Sequence, residues 1–413
     1  MKKVLHLAGM ILFSSQANGQ NFREIKVSEL KDKIAGYWIG QLIGNYLGFP
    51  FENIYTDQPI PVFIDKYYDF RALDSIDLKM NTKDRRAYLP IMADAMNGAW
   101  TDDDTDIEFV TLHAVEKYGL DLTYEEITWM WKLHINRFIW SANRQARDLM
   151  EQGLIPPATG DKLHNPYWYR ITSQLVNEIW SVFYPGMTKM AAERASWGAH
   201  IMCDGWATHA TITYGILYSG AFFEKDINKL VDMAINYLPL HSPYREGLIN
   251  VKKWHEEYND WRGTRQKIHE YYYTRVDGFD IPYPVGGAVV NGLCGIMALL
   301  YGQGDFTQTV GIATTAGYDC DNQAATCGGL LGVIHGASTH PSYFTLELNP
   351  GLQGTKPFND QYINYSRDGL PNYNTISGII DRLYNITEEA VLQMGGKSEM
   401  RNNVRYLLIP VDF

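Results

Sequence analysis

Apolar residues recur with helical spacing through most of this chain. Ile107, Val110 and Ala114, for example, fall on one helix face and precede Gly119, a typical helix stop. Only the C-terminal run VRYLLIP, residues 404–410, resembles a strand. Because helices follow one another without an intervening strand pattern, the sequence predicts an all-α fold. The predicted helices cover residues 28–48, 107–119, 124–138, 141–150, 171–183, 188–202, 208–223, 227–237, 244–258, 261–273, 287–301, 322–336 and 375–394.

The chain is predicted to form one large domain over residues 20–413. No linker rich in proline, glycine or serine and no block of like charge divides it. Residues 54–98 have no sustained period and contain Pro59, Pro61 and Pro90. We therefore expect a long excursion with short elements there.

Two of the predicted helices carry small residues at a spacing of four, which places them on one helix face. An interior glycine costs a helix roughly 0.5–1 kcal/mol relative to alanine, so a stripe of them needs compensation. Close contact between two backbones would provide it. We predict that these two helices pack tightly at the centre of the domain. The stripes are Gly36, Gly40, Gly44 and Gly48 in the first helix, and Ala324, Gly328, Gly332 and Gly336 in the second.

Composition narrows the classes of partner. The formal net charge is −11, from 36 Lys and Arg against 47 Asp and Glu. A nucleic-acid partner is therefore not expected, since phosphate backbones are bound by basic surfaces. Aromatic residues make up 13% of the chain, which suits either a sugar-stacking cleft or an aromatic core. The four cysteines are too few and scattered for a disulfide framework, and we expect free, buried thiols: Cys203, Cys294, Cys320 and Cys327.

The first 19 residues read as a signal peptide. Lys2 and Lys3 precede a short apolar run, and small and polar residues follow from Ser14 to Gly19. Cleavage is predicted after Ala17 or Gly19. The apolar run is too short to span a bilayer, so no membrane association is expected after cleavage. The sequence thus predicts a periplasmic or secreted protein.

Two acidic clusters stand immediately before predicted helices. They are Asp102-Asp103-Asp104 and Asp319-Cys320-Asp321. Adjacent carboxylates without neighbouring lysines favour a hard cation such as Mg²⁺ or Ca²⁺, whose ligands are oxygens. For either cluster alone, a simple helix cap is an equally good interpretation. An EF-hand is excluded because the loop glycine and the distal glutamate are missing, and the histidines lack zinc spacing.

Three segments together resemble the ADP-ribosylglycohydrolase family over nearly the whole chain after the signal. Gly44 to Glu52, GNYLGFPFE, is similar to the early Gly-Asp-Ala-Leu-Gly-x-Pro-x-Glu motif of that family. Trp100 to Asp103 resembles the first metal motif, and Gly317 to Asn322 resembles the second. The resemblance implies a single orthogonal all-α domain with a cleft that holds two metal ions.

The resemblance also implies roles for individual residues. The cofactor would be two Mg²⁺ ions, with Mn²⁺ or Ca²⁺ as alternatives. Glu52 would line the metal cleft, and Asp102 or Asp321 would serve as the base, with Glu52 as an alternative acid. Substrate contacts are predicted for Asn45, Asp104 and Tyr318. The predicted metal ligands are Thr101, Asp102, Asp103, Asp319, Asp321 and Asn322.

Departures from the family pattern leave two functions open. Asn322 stands where the family has Thr or Ser, Asn45 replaces an early Asp, and Asp103-Asp104-Thr105 fits the first motif nearly as well. The first hypothesis is an exported, monomeric glycoside hydrolase that cleaves an N- or O-glycosidic bond of an ADP-ribose-like, ribosyl or other furanosyl substrate, either a small molecule or a glycan. The second is a catalytically idle, metal-stabilised protein of the same fold that binds a sugar or nucleotide.

Overall fold

The computed structural model describes residues 21–69, 78–81, 92–93, 96–273, 287–345 and 357–411. The predicted signal peptide lies outside these residues, as does Pro90 in the predicted excursion. The first half contains β1 Phe22–Lys26, α1 Val27–Gly48, β2 Ala99–Trp100, α2 Asp103–Tyr118, α3 Tyr124–His134, α4 Ser141–Glu151, α5 Thr172–Leu175, α6 Ile179–Phe183, α7 Thr188–Ala199 and α8 Thr208–Ala221. The second half contains α9 Ile227–Tyr237, α10 Pro243–Glu257, α11 Trp261–Ile268, α12 Ala288–Gly302, α13 Phe306–Thr315, α14 Cys320–His335, α15 Ser342–Thr345, β3 Gln361–Ile363, β4 Tyr373–Thr375, α16 Ile376–Gln393, β5 Lys397–Arg401 and β6 Val404–Pro410.

Helices α1 and α14 form an antiparallel pair at the centre of the domain. Both are buried over most of their length, α1 from Gly36 to Gly48 and α14 from Cys320 to Ile334. A side-chain carbon added to Gly36 would overlap the backbone of Gly332, and one added to Gly44 would overlap the backbone of Ala324. The predicted contact between the two small-residue stripes is confirmed.

The all-α prediction is confirmed, with two small sheets in addition. The first has the order β1-β6-β5 and pairs Phe22 with Pro410, which joins the two ends of the described chain. The second has the order β2-β3-β4 and pairs Ala99 with Tyr362 in parallel. The prediction that residues 404–410 form the only strand was therefore wrong, because strands of two to five residues are too short to show a period of two.

Two helix predictions need correction. Residues 171–183 form two short helices, because the Ile179 amide donates to the side chain of Glu108 (2.8 Å) instead of a carbonyl in the preceding turn. Helix α13 was missed because FTQTVGIATT is rich in threonine and has little apolar periodicity. Its start is capped by Asp305, which accepts from the amide of Gln308 (2.7 Å).

Other features of the fold agree with the sequence. Thr123 and Glu126 form the capping box that begins α3. All four cysteines are buried and free. Across the part of the chain that the structure describes, no helix combines the length and apolarity needed to cross a membrane.

Candidate metal and active site

The two acidic clusters lie at the N-termini of α2 and α14. Asp102 precedes α2, and the short parallel pairing of β2 with β3 holds this segment in place, where the amide of Thr101 donates to the Ile363 carbonyl (3.0 Å). Asp319 precedes α14. Neither Asp102 nor Asp319 uses its side chain to cap its own helix. The interpretation of both clusters as simple helix caps is therefore not supported.

The carboxylates converge into two overlapping groups. Asp102, Asp104 and Asp321 each place one oxygen within 4.8 Å of the others, and Glu52, Asp319 and Asp321 do the same. Asp321 belongs to both groups. Asp321 therefore lies where the two carboxylate groups meet.

Asp321 is buried among the other carboxylates of the site. It is 4% exposed. Burial raises its pKa well above the usual range, and the negative charges of Glu52, Asp104 and Asp319 raise it further. An arrangement of this kind is costly in the absence of positive charge, and a divalent cation would remove that cost.

Three buried oxygens at this site have no hydrogen-bond partner in the described part of the chain. They belong to Asp321 (Oδ1), Asn45 (Oδ1) and Asn322 (Oδ1). Buried polar atoms are normally satisfied, so each one needs an explanation. The two groups consist of carboxylates, with no histidine or cysteine, which fits Mg²⁺, Mn²⁺ or Ca²⁺ better than zinc.

Asp104 is held by two amides. The Asn45 side chain donates to one of its oxygens (2.5 Å), and the Asn322 side chain donates to the other (3.4 Å). Asp104 was predicted to contact the substrate and Asp103 to bind metal, but the structure places Asp104 in a carboxylate group and Asp103 in neither. Asp103 is close enough for its charge to raise the pKa of Asp321.

Thr101 is buried and shares a hydrogen bond with the hydroxyl of Ser366 (2.7 Å). Ser366 donates in turn to Asp106 (2.5 Å), which forms a fully buried ion pair with Arg367 (2.7 Å). Sequence reasoning missed this support for the first motif. Ser366 and Arg367 lie outside any periodic segment, and only the fold brings them next to α2.

Tyr318 positions the second motif through its backbone. Its φ is +62°, its amide donates to the Tyr55 carbonyl (2.8 Å), and its carbonyl accepts from Asn53 (2.7 Å). The side chain of Asn53 donates to Glu52 (3.1 Å), so these contacts fix the Glu52 turn against the start of α14. The Tyr318 ring is buried and its hydroxyl contacts His269 (2.8 Å). The predicted substrate contact of this ring remains a prediction.

Comparisons with known proteins identify the family and the fold. The family model for ADP-ribosylglycohydrolase matches residues 26–356. A solved structure described as an ADP-ribosylglycohydrolase-related protein complex is similar, with a TM-score of 0.55 and 16% identity, over 87% of this chain and 99% of that one. At this identity the likeness concerns the fold alone. Among curated proteins, none matches the sequence significantly.

Proposed function

Because the chain belongs to the ADP-ribosylglycohydrolase family, we propose that it is a metal-dependent glycoside hydrolase. The observation that carries the proposal is the sharing of buried Asp321 between two carboxylate groups. Binding of two cations by the two groups would explain why they share a carboxylate. Two independent helix caps would not need to share one. The proposed ions are Mg²⁺, with Mn²⁺ or Ca²⁺ as alternatives.

When bound, such cations would coordinate sugar hydroxyls and lower the pKa of an attacking water. The side chains would then orient the anomeric carbon and move protons. Asp102 or Asp321 is the proposed base that accepts a proton from the water. Glu52 is half-buried and is the proposed acid that protonates the leaving group.

The proposed substrates are ADP-ribose-like, ribosyl or other furanosyl compounds with an N- or O-glycosidic bond. A cis-diol presents two adjacent oxygens, which suits recognition by a pair of hard cations. From the predicted signal peptide we also propose that the protein acts outside the cytoplasm. This would favour small molecules or glycans over intracellular ADP-ribosylated proteins as substrates. The proposed oligomeric state is a monomer.

The test is a hydrolysis screen of nitrophenyl furanosides and ADP-ribosyl compounds with Mg²⁺ and with EDTA. We expect turnover of at least one compound that requires Mg²⁺ and is abolished in Asp321→Asn. Glu52→Gln should lower kcat, because the amide cannot protonate the leaving group. Turnover that is equal in EDTA would refute metal dependence.

A second candidate is a metal-stabilised sugar- or nucleotide-binding protein without turnover. The observation in its favour is that the Asn45 and Asn322 amides both point at Asp104, at positions where the family has an acid and a hydroxyl. The same screen separates the two functions. Thermal stabilisation by Mg²⁺ and by a free pentose, with no hydrolysis of any compound, would favour the binding protein.

A further inference from the structure

A second polar layer lies one helical turn below the candidate metal site. Helices α1, α2 and α14 each contribute one residue to the site and another residue four positions deeper on the same face. The deeper residues are buried and polar. The upper residues are Asn45, Asp104 and Asn322, and the deeper ones are Gln41, Glu108 and Thr326.

Glu178, from the junction between α5 and α6, completes this lower layer. The Gln41 side chain donates to Glu178 (2.9 Å) and to Glu108 (3.3 Å), so it links the two carboxyl groups. The Thr326 hydroxyl donates to the other oxygen of Glu178 (2.5 Å). Glu178 thereby connects α1 with α14, and it reaches α2 through Gln41 and the neighbouring Ile179 amide, which both donate to Glu108. These contacts lie directly below the residues that the three helices present to the metal site.

The hydrogen bonds around Tyr218 indicate where a proton lies. Its hydroxyl is 2.7 Å from the Thr326 carbonyl oxygen and 2.9 Å from Oε2 of Glu178. The carbonyl can only accept, so the single hydroxyl proton of Tyr218 is used there. The contact with Glu178 is then satisfied if the carboxyl group of Glu178 is protonated and donates to Tyr218.

Glu108 has the opposite environment. One of its oxygens accepts from the Ile179 amide (2.8 Å), and the other accepts from Tyr37 and Gln41. Each of these contacts brings a donor to Glu108, as expected for an anion. A pair with one proton avoids two buried negative charges in contact with each other.

Burial raises the pKa of both carboxyl groups, to about 7 for Glu178, and the charge of Glu178 raises the pKa of Glu108 further. Both shifts express the cost of a second negative charge in the pair, and the donors around Glu108 assign the one proton to Glu178. Among the described residues, the largest causes of the two shifts are burial, hydrogen bonds and the charge of the partner carboxylate, and none of them is a lysine, arginine or histidine. The titratable groups that face Glu178 are Tyr37 from α1, Glu108 from α2, Tyr214 and Tyr218 from α8, and Cys327 from α14.

We propose that Glu178 is a positioning residue that stays protonated in the folded protein and holds α1, α2 and α14 in register beneath the metal site. Its proton is donated to Tyr218, while its oxygens accept from Thr326 and Gln41. The link to metal binding rests on the proposed function. The protonated state of Glu178 does not, so the two can be tested separately.

The first test is the melting temperature as a function of pH in EDTA, for the wild type, Glu178→Gln and Glu108→Gln. A glutamine amide can replace a protonated carboxyl group as donor and acceptor, but it cannot ionise. Between about pH 4.5 and about 7 the folded wild type retains a proton that its unfolded chain releases, so its stability falls as pH rises. The melting temperature of Glu178→Gln relative to wild type should therefore increase across this window.

Glu108→Gln is the matched control. The same substitution would place an amide NH₂ group, which is a donor, against the donors that now bond to the Glu108 carboxylate. It should lower the melting temperature across the pH range, unlike Glu178→Gln. A constant difference between Glu178→Gln and wild type from pH 5 to 7.5 would overturn the proposal. So would equal losses in the two glutamine variants.

The second test is calorimetric titration of Mg²⁺ at pH 6. Glu178→Ala removes the hydrogen bonds that join Gln41 of α1 to Thr326 of α14, and we expect about 10-fold weaker binding, as for other residues that support metal ligands. Glu178→Gln should restore wild-type affinity. Equal affinity in wild type and Glu178→Ala would overturn the positioning role. If wild type binds no Mg²⁺, the proposed function fails while the pH test still decides the protonated state.

Discussion

Gly40 of α1 and Gly328 of α14 pack backbone to backbone. A side-chain carbon on either residue would overlap the carbonyl oxygen of the other. The contact explains why two central helices tolerate glycines that weaken an isolated helix. It also fixes the N-terminus of α14, where Asp319 and Asp321 lie, against the C-terminal end of α1.

Gly40→Leu should destabilise the fold, because backbone atoms of α14 cannot move aside as a flexible side chain could. Overpacking of this kind costs typically about 1–3 kcal/mol, and more where backbone must shift. Chemical denaturation would measure the loss. The matched control is Ala35→Leu, which adds a leucine to a half-buried position of the same helix. Equal free energies of unfolding for Gly40→Leu and wild type would contradict the close contact.

The central pair of helices could be predicted because its small residues recur at a regular spacing in the sequence. A spacing of four fixes a helix face, so the glycine stripes identified the central pair without an alignment. The acidic turns at Asp102 and Asp319 were found because like charges stand together in the chain. Neither inference needed a contact between distant segments to be known.

The support of the site could not be predicted in this way. Glu178 lies in the predicted helix over residues 171–183 and Arg367 in a segment without a period, but their partners are distant in the chain: Gln41 and Thr326 for Glu178, and Asp106 for Arg367. Single charged residues of this kind look like surface residues in a sequence. Only the fold shows that they are buried.

Lys33 caps the other end of α14. Its ammonium group donates to the carbonyls of Val333 (2.8 Å) and Ile334 (2.9 Å), where cations are favoured by the helix dipole. Lys33→Met should lower the free energy of unfolding by about 1–2 kcal/mol at pH 7, because charge-assisted hydrogen bonds are lost while the cost of burying the charge is removed. Thermal denaturation would measure it, with Lys31→Met as an exposed control.

The stability difference between wild type and Lys33→Met should also depend on pH. Burial lowers the pKa of Lys33 to about 8, whereas in the unfolded chain it is near 10.5. From pH 8 to 10.5 the unfolded wild type therefore binds more protons, and wild-type stability rises relative to Lys33→Met. A stability difference that shrinks over this range would contradict the buried position of the ammonium group.

Export is a separate prediction from the N-terminal pattern. The basic start, the apolar run and the small residues that follow predict cleavage after Ala17 or Gly19. Mass spectrometry of periplasmic or secreted protein should find Asn18 or Gln20 at the N-terminus. Exported protein that retains Met1 would refute cleavage, and protein found only in the cytoplasm would refute export.

The first metal motif can be assigned in two registers, one with Asp103 as its last carboxylate and one with Asp104. The side chain of Asp104 joins the group of Asp102 and Asp321, whereas Asp103 joins neither group. We therefore expect Asp104→Asn to weaken Mg²⁺ binding by a larger factor than Asp103→Asn, with Asp103→Asn acting mainly through the loss of charge. Calorimetric titration of the two variants compares them directly. A larger loss in Asp103→Asn would assign the motif to Thr101-Asp102-Asp103.

The strongest prediction concerns coupling between the two acidic clusters. Asp102 and Asp319 lie in different carboxylate groups that share Asp321, so removal of either should disturb one common site. Asp102→Asn, Asp319→Asn and Asp321→Asn should each weaken Mg²⁺ binding and abolish glycosidase activity, with the largest loss in Asp321→Asn. The double variant Asp102→Asn/Asp319→Asn should lose far less than the sum of its singles, because residues that act as a unit are not additive. Asp381→Asn, at an exposed position, is the control and should bind as wild type does. Calorimetry and circular dichroism would separate lost binding from lost folding, and additive losses in the double variant would show that the clusters are independent helix termini.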